Sequence, residues 1–149
     1  MCMVDIAREP VTIRLLNEVE PLTEKYWKEV GTEGYDPNPD KALYLKSSHN
    51  GIYAAYTLRD EGELRGYLSY WILTHPHYLM NIAQMDLFFI ELGYRGYSAI
   101  KLLKFSEKDL KENFDIDTIF LSTSVKRDIS PLFKRLKYQD SDKMYIKRL

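Results

Sequence analysis

The most informative part of the chain reads Met85-Asp86-Leu87-Phe88-Phe89-Ile90-Glu91-Leu92-Gly93-Tyr94-Arg95-Gly96-Tyr97-Ser98-Ala99-Ile100. An apolar segment that fits a buried strand runs into a short turn with Arg95 and Gly96, and a helical pattern follows directly. Backbone N–H groups at the start of such a helix are unpaired and the helix dipole is positive there, so the turn suits an anion such as a pyrophosphate. Gly96 lets the backbone approach a ligand closely, and Ser98 is a candidate cap for the helix.

Hydrophobic periodicity and turn residues predict the elements on both sides of this stretch. The predicted helices cover residues 12–30, 40–46, 98–113 and 129–136, and the predicted strands cover residues 4–7, 52–58, 64–73, 82–90, 118–125 and 143–147. Pro21 should kink the first helix or break it in two. Strand 82–90 is apolar in both phases, which indicates burial on both faces. The order predicts an α/β (mixed α+β) fold with a mixed, mostly antiparallel sheet of about six strands and about four flanking helices.

Length and composition are those of an ordinary globular domain, and we expect residues 1–149 to form one. The chain has 149 residues, of which 45% are apolar and 29% charged. No apolar run is long enough to span a membrane, and the N-terminus lacks the pattern of a signal peptide. The single cysteine, Cys2, can form neither an internal disulfide nor a zinc cluster, so a reducing cytoplasm is the expected compartment.

Charge is distributed unevenly although its sum is only −1. Residues 1–40 hold nine acids and four bases, whereas residues 126–149 hold eight bases and three acids. Solvated helix and strand faces explain this asymmetry, and a basic end that faces an anionic ligand is the alternative. A dedicated nucleic-acid binder is usually more basic than this chain.

With its strand, turn and helix in this order, the chain resembles the GNAT superfamily of acetyl-CoA-dependent N-acyltransferases, and in particular small members found in bacteriophage genomes. Besides the strand and the Arg95-Gly96 turn, the matching stretches are His75-Pro76-His77-Tyr78, Lys104-Phe105-Ser106-Glu107, Ser130-Pro131-Leu132-Phe133-Lys134-Arg135-Leu136-Lys137-Tyr138 and Tyr145-Ile146-Lys147-Arg148-Leu149.

The resemblance implies acetyl-CoA as co-substrate, with no metal. Strand 82–90 would splay from strand 118–125, and the pantetheine arm would pair with backbone in the gap. The residues implied in cofactor binding are Phe88, Phe89, Ile90, Arg95, Gly96, Tyr97, Ser98, Ala99 and Ile100. In the superfamily pattern Arg/Gln-x-x-Gly-x-Gly/Ala, Ser98 and Ile100 stand at the glycine positions, so the chain departs from the pattern there. Gly96 and Ala99 compensate if the turn is shifted by one residue.

Acyl transfer to an amine needs a group that removes the amine's proton. Asp86 is the first candidate for this base because it lies mid-strand in an apolar environment, and a structural carboxylate is its alternative. His75 and His77 flank Pro76 between two strands and are further candidates, either as bases or as substrate contacts. Plain turn residues are the alternative for both, and no third ligand makes them a metal pair. Glu91 follows the strand and could reach the acceptor through water, unless it is an exposed loop acid.

In many superfamily members a tyrosine protonates the leaving thiolate, and the resemblance sets Phe133 at that position. Phenylalanine has no proton to give. The alternatives are Ser124, Tyr138, Tyr97 or solvent as the donor, or a chain that has lost the chemistry. Twelve tyrosines is a high count. Most of them fit half-buried sheet positions, and a few could line an acceptor groove.

The leading hypothesis is therefore an N-acetyltransferase that works by direct attack of a primary amine on acetyl-CoA. The acceptor is open between a small molecule, a protein lysine or N-terminus, and a modified nucleobase, with a host protein or nucleic acid as partner and the host cytoplasm as location if a phage encodes it. A non-catalytic CoA-binding or interaction module on the same scaffold is the alternative, and an enzyme that acetylates aminoacyl-tRNA is a third. A homodimer could form by pairing or exchange of the last strand.

Overall fold

A computed structural model describes residues 3–149. The strands are β1 (Val4–Glu9), β2 (Tyr53–Asp60), β3 (Glu63–His75), β4 (Met80–Ile90) and β5 (Thr118–Phe120). The helices are α1 (Ile13–Val30), α2 (Lys41–His49), α3 (Tyr97–Phe114) and α4 (Ser130–Arg135), and a short 3₁₀ turn (Leu92–Tyr94) joins β4 to α3. This is the predicted mixed α/β fold with four helices.

One five-stranded sheet in the order β1-β2-β3-β4-β5 forms the centre. The first four strands pair antiparallel, and β5 pairs parallel to β4. Glu61 and Gly62 both have positive φ, at 49° and 82°, and they make the two-residue turn of the β2–β3 hairpin. Such a turn matches the twist of the strands that it joins, so two residues are enough to connect them.

Each face of the sheet carries its own apolar core. Side chains of α3 and α4 cover one face, where Tyr70 bonds to Ser106 at 2.9 Å and Tyr56 donates to Asp109 at 2.8 Å. Side chains of α1 and α2 cover the other face. Phe88 lies in the first core and Phe89 in the second, so β4 is buried on both faces as predicted.

Helix α1 runs without a break through Pro21, so the predicted division into two helices is wrong. Thr12 caps it by accepting a hydrogen bond from the N–H of Leu15, and Arg59 of β2 holds its first half through Glu18 at 2.6 Å. Proline removes one backbone hydrogen bond, and an exposed position lets water satisfy the carbonyl left without a partner. Pro21 is exposed.

Two expectations about the C-terminal third are corrected. The strand predicted at residues 118–125 ends at Phe120, and residues 143–147 form no strand. The sheet therefore has five strands rather than six. Arg148 instead donates to the carbonyl of Gly34 at 2.7 Å and lies over the Tyr35 ring, so the tail is held by contacts outside the sheet. Strand-forming side chains do not make a strand unless a neighbour offers a ladder of backbone partners.

Within residues 3–149, none of the helices has the length and apolarity needed to cross a membrane. The prediction about the single cysteine concerns Cys2, which lies outside the described residues.

Candidate active site

The sheet opens between β4 and β5. Residues 82–84 of β4 pair with all three residues of β5, from Thr118 to Phe120. Within residues 3–149, residues 85–90 of β4 pair with the backbone of β3 alone. Apart from the Ile90 carbonyl, which accepts from Arg95, the other edge of this half-strand is open to an extended ligand with amide groups. This is the splayed strand pair that the resemblance implies.

A β-bulge lies at the point where the two strands part. Leu87 stands opposite Ser69 and Met85 opposite Tyr70, so Asp86 is the extra residue of β4. A bulge re-aims the side chain of its extra residue. Asp86 thus faces α1 and α2, where its Oδ2 accepts a hydrogen bond from the Tyr53 hydroxyl at 3.0 Å. Burial, followed by the charge of Asp86 and a hydrogen bond to it, raises the pKa of Tyr44 well above its usual range.

Helix α3 begins at the predicted turn, but its cap differs from the expectation. Gly96 is the N-cap residue and no side chain caps the helix, so Ser98 is not the cap and lies in the first turn. The φ of Gly96 is 97°, which favours glycine. The N–H groups of Ala99 and Ile100 donate to the Gly96 carbonyl. Within residues 3–149, the N–H groups of Gly96, Tyr97 and Ser98 are therefore the ones without a backbone acceptor at this helix start, the kind of group that suits an anion.

A cavity of about 220 Å³ lies beside this turn, between β4, α3 and the start of α4. Its lining residues are Phe88, Phe89, Ile90, Arg95, Gly96, Ala99, Arg127, Ile129 and Leu132. Six of the nine implied cofactor residues therefore surround one space. Tyr97 is exposed at the start of α3, next to this space.

Glu29, in the last turn of α1, bridges the two arginines of the cavity. Its Oε1 accepts from Arg95 at 2.8 Å and its Oε2 accepts from Arg127. Arg95 also donates to the Ile90 carbonyl at 2.7 Å and lies over the Phe89 ring. Burial raises the pKa of Glu29, but the hydrogen bonds and charges of the two arginines outweigh it and hold this pKa below its usual value. The carboxylate thus stands where positive charge is concentrated.

The structure does not bring the other candidate bases to Asp86. Glu91 is held in ion pairs with Lys25 at 3.0 Å and Arg65 at 3.2 Å. His75 and His77 lie at the β3–β4 turn with their rings 5.5 Å apart. His75 pairs with Met80, six positions before Asp86 along β4, a separation of about 20 Å at the rise of a strand. Residues 3–149 contain no group of three or more side chains suited to hold a metal.

Phe133 is buried in the core against Tyr138, at a ring distance of 6.2 Å. Tyr138 lies half-buried beside Glu107, in a second cavity lined in part by Lys111 and Ile119. Burial, and then the negative charge of Glu107, raise the pKa of Tyr138. Tyr97 is 72% exposed, and Ser124 accepts the N–H of Lys126 in the loop after β5.

Some residues around the cavity and Asp86 were not predicted individually. Arg127 belongs to the basic C-terminal part, so the charge asymmetry pointed to its neighbourhood. The expectation that a few tyrosines line an acceptor groove concerned sheet positions, and it singled out neither Tyr44 of α2 nor Trp71 of β3, whose rings lie 5.6 Å apart beside Tyr53. Glu29 had no sequence feature of its own, because its role depends on where α1 ends against the other elements.

No family model matches the chain, and no curated protein matches it. Solved structures do match the chain. A ribosomal-protein-alanine N-acetyltransferase from Brucella melitensis biovar Abortus 2308 is 21% identical with a TM-score of 0.73, and each chain is covered to 99%. An aminoglycoside acetyltransferase from an uncultured soil metagenomic sample, in complex with sisomicin, is 13% identical with a TM-score of 0.77, covering 98% of this chain and 96% of that one.

A predicted acetyltransferase from Clostridium acetobutylicum, solved with acetyl-CoA, is 16% identical with a TM-score of 0.74, again covering 98% of this chain and 96% of that one. This chain therefore shares its fold with these three proteins. It is the mixed fold with a splayed strand pair that the sequence resemblance implies.

Proposed function

We propose that the protein is an acetyl-CoA-dependent N-acetyltransferase. One observation carries the proposal: the parting of β4 from β5, with a carboxylate on the bulge at that point and an uncapped helix start beyond it. The unpaired edge of β4, the carboxylate of Asp86 and the start of α3 thus lie one after another, and they suit the pantetheine arm, the acceptor amine and the pyrophosphate. The shared fold supports this reading, and two of the similar structures are of acetyltransferases that act on amines.

The residues present fit acetyl-CoA. The cofactor's pyrophosphate suits the N–H groups of Gly96, Tyr97 and Ser98, with Arg95 and Arg127 beside them. The free edge of residues 85–90 offers backbone groups to the amides of the pantetheine arm. Gly96 leaves the approach open, since a Cβ at this position would meet no atom within 4 Å.

Acetyl-CoA supplies an acetyl group activated as a thioester. Asp86 is the base: its carboxylate takes a proton from the acceptor ammonium and frees the nitrogen lone pair. That pair forms the new carbon–nitrogen bond, the carbon–sulfur bond breaks, and sulfur leaves as a thiolate with the bonding pair. The nitrogen then gives up a second proton to solvent and becomes the nitrogen of a neutral amide. Phe133 has no hydroxyl, so in this proposal solvent returns the proton to the thiolate.

Thermal shift with acetyl-CoA tests the cofactor site. Ligand at about 100 times its dissociation constant should stabilise the protein by about 2.7 kcal/mol. Arg95→Ala and Arg127→Ala should each weaken binding about tenfold, because each removes a charged donor to a phosphate. Arg135→Ala is the matched control, since Arg135 is exposed on α4 and carries the same charge. Equal losses in all three variants would contradict the assigned site.

A non-catalytic CoA-binding module is the second candidate, and Phe133 is the observation that favours it. Turnover separates the two functions. Release of CoA thiol from acetyl-CoA with a panel of amines should depend on Asp86 if the protein is an enzyme. Cofactor binding without any thiol release across the panel would leave the binding module.

A further inference from the structure

Aromatic side chains pack against one another beside Asp86. We call these three the aromatic box; they are Tyr44 of α2, Tyr53 of β2 and Trp71 of β3. The Trp71 ring lies 4.7 Å from that of Tyr53 and 5.6 Å from that of Tyr44, and the Tyr44 and Tyr53 rings are 5.1 Å apart. The box thus joins helix α2 to strands β2 and β3, next to the bulge.

Two tyrosines of the box interact with Asp86. The hydroxyl of Tyr53 donates to its Oδ2 at 3.0 Å. Burial, then the charge of Asp86 and a hydrogen bond to it, raise the pKa of Tyr44. Tyr44, Trp71 and Asp86 are only partly buried, so part of the box and of the carboxylate is open to a ligand.

Asp86 differs from the other carboxylates on this face of the sheet. Glu9 and Glu18 share Arg59, Glu29 lies between Arg95 and Arg127, and Glu91 between Lys25 and Arg65. Within residues 3–149, Asp86 alone of these five has no lysine or arginine partner. A partly buried carboxylate among π-faces, with phenol donors and no cation, is a favourable place for a cation to bind.

We propose that the aromatic box and Asp86 bind the acceptor as a primary alkylammonium with an apolar stem, the chemistry shared by a free alkylamine and a lysine side chain. The inference rests on the proposed function, because it gives the base of that reaction a second task. The ammonium lies against Asp86 and the rings, and the methylene stem packs on Tyr44 and Trp71.

The composition of the box sets the class of acceptor. Asp86 is the carboxylate that hydrogen-bonds to the rings of the box. Asp40 acts on Tyr44 through its charge and is engaged as the cap of α2, where it accepts the N–H of Leu43. One cation is therefore neutralised, and the rest of the acceptor meets apolar surface. A polycationic, polyhydroxylated amine such as an aminoglycoside needs several acids and hydrogen-bonding groups, which this box does not supply. We therefore expect a single ammonium group to be preferred.

Binding is measurable without the reaction, by NMR titration in the absence of acetyl-CoA. The chain has two tryptophans. Trp71 lies in the box, and Trp27 donates its indole N–H to the Tyr35 carbonyl at 2.9 Å and serves as the internal reference. n-Butylammonium should shift the Trp71 indole resonance saturably, and 1-butanol, its neutral counterpart, should bind at least about tenfold more weakly. Nα-acetyl-lysine methylamide tests the peptide source, and kanamycin tests the polycation.

Two variants distinguish the contribution of the Asp86 charge to amine binding from that of the Tyr44 ring. Asp86→Asn keeps the shape and should weaken n-butylammonium at least about tenfold. Tyr44→Ala removes a ring and should weaken it about threefold to thirtyfold, the range of a cation–π contact. Glu112→Gln loses the same charge from the exposed side of α3 and should change nothing. Thermal melting of each variant, with Tyr44→Phe as a milder second change that keeps the ring, establishes that loss of binding is not loss of fold.

Three results would overturn the inference: butanol binding as well as butylammonium, Asp86→Asn retaining the wild-type affinity, or kanamycin binding more tightly than the monocations. Acetyl-CoA thermal shift on the same samples keeps the two proposals apart. If the protein binds acetyl-CoA but not the amine, the acceptor site proposed here is wrong and the cofactor site stands. If it binds the amine but not acetyl-CoA, the aromatic box stands as a binding site and the proposed acetyltransferase function is wrong.

Discussion

Strand β4 has two halves with similar side chains and different surroundings. Residues 80–84 begin at the β3–β4 turn and reach the stretch that pairs with β5, so the sheet continues on both sides of residues 82–84. Residues 85–90 have lost β5 and pair with β3 alone. We call residues 80–84 the closed half of β4. Residues 85–90, which carry the bulge and lead to the start of α3, are the open half. The difference comes from β5, which ends at Phe120, and not from the composition of β4.

Asp86→Asn should have the largest effect, and it should lower activity and acceptor binding without lowering stability. The amide cannot accept the amine's proton, so kcat/KM should fall about 10² to 10⁴-fold, the usual contribution of a general base. The free energy of unfolding should change by less than about 1 kcal/mol, because the amide oxygen can still accept from Tyr53. Steady-state kinetics and urea unfolding measure the two quantities, with Glu112→Gln as control. A variant that keeps its activity would remove Asp86 as the base.

Ala83→Leu tests the closed half of the same strand. Ala83 is fully buried between Ile72 and Ile119, in the core under α3. Three extra carbon atoms should cost about 1–3 kcal/mol of unfolding free energy through overpacking. The kcat of the folded protein should stay the same. A loss of kcat with unchanged stability would contradict the division of β4 into a structural and a functional half.

The contrast also explains how far the sequence could predict the molecule. Apolar periodicity located β4 and α3, because burial imposes its period on the side chains themselves. It extended β5 to residue 125 and added a strand at residues 143–147, because β propensity does not reveal whether a partner strand is within reach. Asp86 was found by its charge in an apolar strand. The bulge that aims it, and the rings around it, depend on register and on α2, which no local pattern encodes.

Glu29→Gln tests the end of the open half where we propose that the cofactor binds. In the bridge, the carboxylate bonds the same arginines that we propose for the pyrophosphate, so it competes with the phosphates. Removing its charge should tighten acetyl-CoA binding about threefold to tenfold. In the folded protein the pKa of Glu29 lies below its usual value of 4.5, so the carboxylate is charged and the bridge is present at neutral pH. The bridge is lost only when the pH falls below 4.5 towards this lowered pKa. The difference between variant and wild type should disappear there.

Isothermal titration at pH 7 measures this affinity. Glu33→Gln is the matched control, because Glu33 is an exposed loop acid four residues further along the chain. If both variants gain affinity equally, general charge and not the bridge is responsible. Weaker binding in Glu29→Gln would mean that the carboxylate orders the arginines for the cofactor rather than competing with it.

The smallest effect is expected at the far end of the closed half. His75→Ala and His77→Ala should each change kcat/KM by less than about twofold, because their imidazoles lie about 20 Å from Asp86 along the strand and proton transfer needs hydrogen-bond reach. His75 accepts the N–H of His77 at 3.2 Å and its ring lies 4.7 Å from that of Tyr78, so His75→Ala should loosen the turn slightly. Kinetics from pH 5.5 to 8 provide the test, since an imidazole base would add an ionisation in this interval that the variant removes. A tenfold loss of kcat/KM in either variant, or a change in the shape of the pH profile, would mean that the turn approaches the acceptor during the reaction. The closed half of β4 would then belong to the active site as much as the open one.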